Sequence, residues 1–283
     1  MKTCDLHTHS FFSDGTLSPT DLLNKAYECG LSAIALCDHN VVDGLPEFKA
    51  AAENMDIEAV LGCEFSTEYN EIELHILGLF IDEKAFPVLE EFCNDMNKRK
   101  TLATKKLVED LNKGGYEVDY QSLIAATPNG HINRAHVAKA MVEKGYVTSV
   151  KEAFKTILRS GGEFYTSPKR LDTLETIALL RRVGAVPVIA HPLFSASPEI
   201  LKEFWPKAKA AGLVGMETLY PMYDDETTKK AINIANEFGF LQSGGSDYHG
   251  TNKPHISLGK GTGQLAVPYE IFLQLKEFKN TCI

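Results

Sequence analysis

Short apolar, β-branched runs recur along the chain at 3–8, 33–38, 57–66, 72–80, 186–191, 213–219 and 240–246. Each has the length of one buried strand, and most are followed by a stretch whose apolar positions repeat at helical spacing. The clearest helix opens at Ser18-Pro19-Thr20-Asp21, with Ser18 as the N-cap, proline at the first helical position and an aspartate three residues after the cap. Leu22, Leu23, Ala26 and Tyr27 make its apolar face, and Gly30 ends it. Leu174, Ile177 and Ala178 repeat the pattern before Gly184, as do Ala231, Ile234, Ala235 and Phe238 before Gly239. Strand-then-helix alternation predicts an α/β fold of βα units. Seven strands with helices outside them predict a closed or nearly closed parallel barrel, in which functional residues sit at the C-terminal strand ends. An open doubly wound sheet fits less well, since the sequence has no glycine-rich phosphate loop.

Between 97 and 162 the pattern changes. Helical stretches at 102–111, 132–144 and 150–159 follow one another without a clear strand, separated by Lys113-Gly114-Gly115, Thr127-Pro128-Asn129-Gly130 and Gly161-Gly162. The expected organisation is therefore a barrel in two parts, 1–96 and 163–283, interrupted by a helical insertion at 97–162.

The chain has 283 residues, 44% of them hydrophobic, which is enough to bury a full core. No run approaches the roughly 18 apolar residues of a membrane span, and the first residues lead straight into a strand instead of a secretory segment. A cytoplasmic protein is expected. The six cysteines occur singly with no CxxC pair, so reduced thiols are expected. Cys4, Cys37 and Cys63 fall near candidate ligands but read best as small buried side chains. A net charge of −9 argues against a chain built to grip long nucleic acid. Three bound divalent cations would bring it to −3 and concentrate positive charge at one site, where a small anionic substrate fits.

Six of the nine histidines, His7, His9, His39, His75, His191 and His249, lie in or beside strand ends, together with Asp14, Glu64 and Asp247. Residues i and i+2 of an extended strand point to the same side, so His7 and His9 can present both imidazoles to one cation. Asp247 and His249 repeat the spacing. Burying so many ionisable groups is costly unless they are paired or coordinate cations. Nine ligands exceed what one zinc-like site takes, and a carboxylate such as Glu64 can bridge, so two or three clustered divalent ions are expected. Mixed imidazole and carboxylate ligation suits manganese, zinc or iron(II). An open cluster without a cysteine-rich set points to hydrolysis, not to structural zinc.

Seven strings stand in order along the chain: Asp5-Leu6-His7-Thr8-His9-Ser10, Ser13-Asp14-Gly15, Cys37-Asp38-His39-Asn40, Gly62-Cys63-Glu64, Glu73-Leu74-His75-Ile76-Leu77-Gly78, Ile189-Ala190-His191-Pro192 and Gly245-Ser246-Asp247-Tyr248-His249-Gly250. They resemble the successive motifs of the PHP family, the polymerase and histidinol phosphatase phosphoesterases, and span essentially the whole chain outside the insertion. The resemblance implies a distorted seven-stranded (β/α)7 TIM-like barrel with three metals. His7, His9, Glu64 and Asp247 would hold the first; Glu64, His75 and His191 the second; Asp14, His39 and His249 the third.

It also implies a metal-dependent phosphoesterase acting on a small phosphorylated substrate through a metal-activated hydroxide, with Asp247 or His249 managing proton transfer. Asp14 stands where the histidinol phosphatase branch tends to have histidine. That departure points to the branch with a helical insertion, which acts on nucleoside 3′,5′-bisphosphates and on the ends of short RNA. The segment Ile132-Asn133-Arg134-Ala135-His136-Val137 is similar to the arginine-containing segment of that branch. By that resemblance Arg134 would clamp a phosphate and His136 support it, with the insertion capping the barrel mouth. Lys169 and Arg170, two cations after Pro168 that depart from the family pattern, are weaker candidates for substrate binding. Tyr223 stands where a histidine would match the family pattern. The alternatives are a phosphodiesterase or 5′–3′ exonuclease on short RNA or DNA, a histidinol-phosphatase-like enzyme, a non-catalytic metal-binding scaffold, and an amide hydrolase on a related barrel.

Overall fold

Strand β1 (Thr3–Thr8) is buried from Cys4 onward and runs in the interior of a sheet, with a neighbour on each side. The computed structural model describes residues 2–126 and 132–282. β1 pairs in parallel with β2 (Ala33–Leu36), which pairs in parallel with β3 (Glu58–Leu61). β4 (Cys63–Tyr69), β5 (Ile72–Leu79), β6 (Leu171–Asp172), β7 (Val186–Ala190), β8 (Gly215–Leu219) and β9 (Leu241–Gly244) form a second sheet in the order β6-β4-β5-β7-β8-β9. β10 (Val267–Pro268) closes the free side of β1 in antiparallel register. Cys4, Leu6, Ala35, Leu77, Val188 and Val267, drawn from both sheets, share one core with Phe272 and Leu275 of the C-terminal helix Tyr269–Cys282.

Hydrogen bonding therefore divides the strands into two sheets, where the sequence pattern predicts one parallel ladder. Two departures explain the difference. The run 57–66, expected as one strand, is two: the chain bends at Gly62 and carries β3 and β4 into different sheets. A Cβ at Gly62 would stand 2.8 Å from Cys37 Sγ and 3.0 Å from the Leu36 carbonyl oxygen, so only glycine allows this crossing. β4 and β5 then form an antiparallel hairpin over Asn70 and Glu71, both at positive φ as a tight two-residue turn requires. β5 also runs antiparallel to β7. The sheets meet at two isolated parallel bridges, Thr8 with Tyr248 and His39 with Glu64. Both bridges involve or adjoin the expected metal ligands.

The predicted helices form where their signals lie. Ser18 Oγ accepts from the Asp21 amide at 2.9 Å to start Pro19–Glu28. Asp172 caps Thr173–Arg182, and Asp224 caps Asp225–Phe238, which ends at Gly239 in the left-handed region. Cys4, Cys37, Cys63 and Cys93 are buried free thiols; burial pushes Cys4 up to about 12 and Cys37 well above the usual thiol value, which keeps both protonated.

The chain divides into two compact units, one of Met1–Glu90 with Leu171–Ile283 and one of Glu91–Arg170. The second is helical, with Tyr120–Ala125, Arg134–Glu143, Val150–Lys155 and most of the long helix Phe86–Lys113. Its own core includes Leu107, Leu111, Val137, Met141, Leu158 and Tyr165. The turn expected at Thr127-Pro128-Asn129-Gly130 lies outside the described residues. Among the described residues no helix is long and apolar enough to cross a membrane.

Past β9, Gly245 lies against β1: a Cβ there would come within 2.5 Å of the His7 backbone nitrogen and Cβ. Gly245→Ala is expected to reduce stability by about 1–3 kcal/mol. Chemical denaturation should show a lowered midpoint, and an unchanged one would contradict this close approach.

Candidate metal centre

Glu64, fully buried on β4, is surrounded by five imidazoles. Its Oε2 lies 3.2 Å from His7 Nε2, 3.2 Å from His9 Nε2 and 3.2 Å from His39 Nδ1. Its Oε1 lies 2.7 Å from His75 Nδ1 and 3.3 Å from His191 Nε2. Asp247 Oδ1 stands 3.4 Å from His9 Nε2, 3.7 Å from His7 Nε2 and 3.4 Å from His249 Nδ1. On the far side of His9, Asp14 Oδ1 lies 3.2 Å from His249 Nε2 and 3.9 Å from His9 Nδ1, while Asp14 Oδ2 lies 3.9 Å from His39 Nε2. All nine residues singled out as metal ligands are thus brought together in one cluster.

Backbone geometry at the strand ends delivers them. β1 presents His7 and, one residue past its end, His9. The His39 bridge pins Glu64, whose amide donates to the Asp38 carbonyl at 3.1 Å and whose carbonyl accepts from the Asn40 amide at 2.9 Å. Asn40, His191 and Asp247 all take positive φ, an uncommon conformation for residues with a side chain, which turns the chain sharply at three points of the rim. Buried carboxylates hold these turns. Asp38 accepts from the Ser10 amide and from the hydroxyls of Ser10 and Ser13. Asp5 accepts from the Ser246 amide and hydroxyl and from the Gly259 amide. Glu217 on β8 faces His7 Nδ1 at 3.1 Å with one oxygen and accepts the His191 amide at 2.8 Å with the other.

The donor set fits divalent ions. His7 Nε2, His9 Nε2 and His39 Nδ1 are buried with no hydrogen-bond partner, and all three converge on the same Glu64 oxygen. Three ring nitrogens cannot all be satisfied by one carboxylate oxygen, whereas cations between them would use each lone pair. Among the described residues three groups have donor atoms within 4.8 Å of one another: His9, Asp14, His39 and His249; His7, His9 and Glu64; His39, Glu64 and His75. His9, His39 and Glu64 each belong to two of them, the arrangement of a cluster with shared ligands.

Without ions the carboxylates and imidazoles compensate one another. Burial pushes Glu64 up, but His39, His7 and His75 outweigh it and hold the carboxyl well below its usual range. Burial drags on His9 and His75 too, yet the close Asp247 and Glu64 carboxylates bring His9 to about 9, and the Glu64 carboxylate brings His75 to about 9. For His39 burial prevails and the value falls to about 3.

The residues expected to touch substrate lie in or at the end of the helical unit. Asn133 caps the helix Arg134–Glu143, and His136 Nδ1 accepts from the Asn133 amide at 3.1 Å to complete a capping box. The Arg134 guanidinium is stacked between Phe154 and Tyr165, 4.6 and 4.5 Å from their ring centres, and donates to the Leu158 carbonyl at 3.2 Å. Arg170, the last residue of that unit, is half-buried. Tyr223 accepts from the Leu193 amide at 2.9 Å. The pattern of strand-end ligands did not single out Glu217, Tyr220 or Lys253. Glu217 carried a signal, an acid inside an apolar strand; Lys253 carried none.

Two outcomes follow. Glu217→Gln should keep the fold but weaken divalent-ion affinity by about 10–100-fold, because His7 and the His191 turn lose their shared carboxylate; calorimetric titration with Mn²⁺ or Zn²⁺ checks this. His9 and His75, raised from 6.5 to about 9, are protonated at neutral pH in the ion-free protein and must be neutral to ligate. Ion binding should therefore release protons, and apparent affinity should rise as pH increases toward about 9; titrations in buffers of different ionisation enthalpy measure the release.

Comparison with known proteins agrees with this chemistry. A model of the PHP domain matches residues 5–165. A 5′-3′ exoribonuclease of Haemophilus influenzae is 33% identical over 252 residues, covering 88% of this chain and 90% of that protein. A 3′,5′-nucleoside bisphosphate phosphatase of Chromobacterium violaceum is 28% identical over 251 residues, covering 88% of each. A solved structure from Bifidobacterium adolescentis, provisionally assigned as a metal-dependent phosphoesterase, superposes with a TM-score of 0.86 at 26% identity over 97% of this chain and 95% of that one. With its matching motifs, its buried histidine and carboxylate cluster and these relatives, the chain belongs to the PHP domain family and is a metal-dependent hydrolase of phosphoester bonds.

Proposed function

We propose that this chain hydrolyses small phosphate monoesters, with nucleotides of the nucleoside 3′,5′-bisphosphate type as its substrates, at a trinuclear site. The two sheets are read as halves of a distorted seven-stranded barrel, with residues 97–162 as the inserted cap. The observation that carries the proposal is Glu64, whose two oxygens face separate sets of imidazoles, so that one carboxylate would serve two ions. His7, His9, Glu64 and Asp247 would hold the first ion; Glu64, His75 and His191 the second; Asp14, His39 and His249 the third. Manganese, zinc or iron(II) suits this set. Such ions supply Lewis acidity that lowers the pKa of water and neutralises charge on phosphate oxygens.

The protein's own groups do the positioning. His249 Nδ1 lies 2.7 Å from the Asp247 carbonyl oxygen and donates its hydrogen there, which leaves the Nε2 lone pair directed toward Asp14. Proton transfer falls to Asp247 or His249. A guanidinium fixed in plane by two aromatic rings, as in Arg134, is preorganised for bidentate phosphate recognition, with His136 and Arg170 as further contacts. Asp14, in place of a histidine, and the bisphosphate phosphatase relative both favour nucleotides over histidinol phosphate. A second reading, a 5′–3′ exonuclease on short RNA, is favoured by the relative at 33% identity.

Phosphate release by Mn²⁺-loaded protein tests the proposal. Adenosine 3′,5′-bisphosphate is expected to lose one phosphate, at a higher rate than histidinol phosphate. Faster formation of mononucleotides from a 5′-phosphorylated dinucleotide would establish the second reading, and no turnover of any phosphate ester would overturn both.

A further inference from the structure

Lys253 is the one cation seated directly on this cluster among the described residues. Its Nζ lies 2.7 Å from Asp247 Oδ2, and that oxygen also accepts from Tyr220 at 3.0 Å. Asp247 Oδ1 is thereby left to face His7, His9 and His249. The lysine is built into place. Gly250, at positive φ, packs on Thr16 so closely that a Cβ would stand 1.9 Å from its hydroxyl oxygen. The Thr251 amide donates to that same hydroxyl at 3.0 Å, and Asn252 Nδ2 donates to the Asp14 carbonyl at 2.8 Å. The turn that carries Lys253 is thus tied to the loop that carries Asp14.

Asp247 is buried, whereas the Lys253 side chain is 37% exposed. An ammonium has three N–H donors. One is used on Asp247, and among the described residues no acceptor takes the other two. A structural lysine with a single carboxylate partner needs no such placement at the solvent-facing edge of a metal cluster.

We propose that Lys253 is a substrate-contacting residue: its ammonium, aligned by Asp247, gives its remaining donors to oxygens of the phosphate undergoing hydrolysis. Tyr220 has the separate task of holding Asp247 Oδ2, so that Oδ1 alone is offered to a cation. The inference rests on the phosphoesterase reading of the site and adds a residue to it.

The two tasks separate in experiment. In Mn²⁺-loaded protein Lys253→Met is expected to bind the same number of ions as the parent, because Tyr220 still holds Asp247. Its inhibition constant for inorganic phosphate and its KM for a phosphate monoester should each rise by about tenfold or more. Lys253→Arg, which keeps the charge and donors, should recover most of both. Tyr220→Phe should weaken Mn²⁺ affinity while leaving the phosphate inhibition constant, measured at saturating metal, within about twofold of the parent. Inhibition by phosphate that is unchanged in Lys253→Met overturns the proposal. A loss that disappears once excess metal restores the ion content also overturns it, since the lysine would then act only through Asp247. If the parent protein turns over no phosphate ester, the underlying reading fails instead. Circular dichroism of each variant confirms that the fold is retained, and Lys253→Arg keeps the test decisive if the methionine variant does not fold.

Discussion

The centre depends on one carboxylate removed from water. Isolated burial of the Glu64 charge would be strongly unfavourable, and five surrounding imidazoles offset that cost. The same constraint explains the ring of acids around the rim. Glu217 and Asp247 stabilise the histidines that surround Glu64, while Asp5 and Asp38 hold the turns through serine hydroxyls and backbone amides. Each buried charge in the site has a stated partner, apart from ring nitrogens that point at a position suited to an ion.

Much of this was legible in the sequence because the ligands sit where apolar runs end. His7 lies near the end of a strand that hydrophobic periodicity marks clearly, and His9, His39, His191 and the pair Asp247 and His249 each follow one. The positions of the helices were legible for the same reason, with Ser18, Asp172 and Asp224 acting as caps. The sheet partners were not. Periodicity registers that a segment is extended and buried, yet it is blind to direction, so the β4–β5 hairpin read as part of a parallel array. Gly62 divides one apolar run into two strands only through a close approach to Cys37, a residue far away in sequence. Lys253 was illegible because its importance comes from a turn tied to Thr16 and Asp14 by long-range hydrogen bonds.

Arg134 shows the other kind of residue, one whose chemistry is suggested by type and whose surroundings define it. Phe154 and Tyr165 restrict the plane of the guanidinium, and Asn133 and His136 fix the start of the helix that bears it. That rigidity comes from the core of the helical unit, so alterations at Val137 or Met141 would reach the arginine without touching it.

The nine candidate ligands are drawn from seven stretches of chain between His7 and His249, and the helical unit intervenes between His75 and His191. A nascent chain on the ribosome that has passed Glu64 and His75 holds only part of the set, with His191, Asp247 and His249 still to be made. If these residues hold the ions, the set would be complete only late in synthesis, when the first strand meets the chain beyond β9. Metal held there would make the cluster a clasp as well as a reaction centre, tying the N-terminal strand to the chain beyond β9 and opposing their separation.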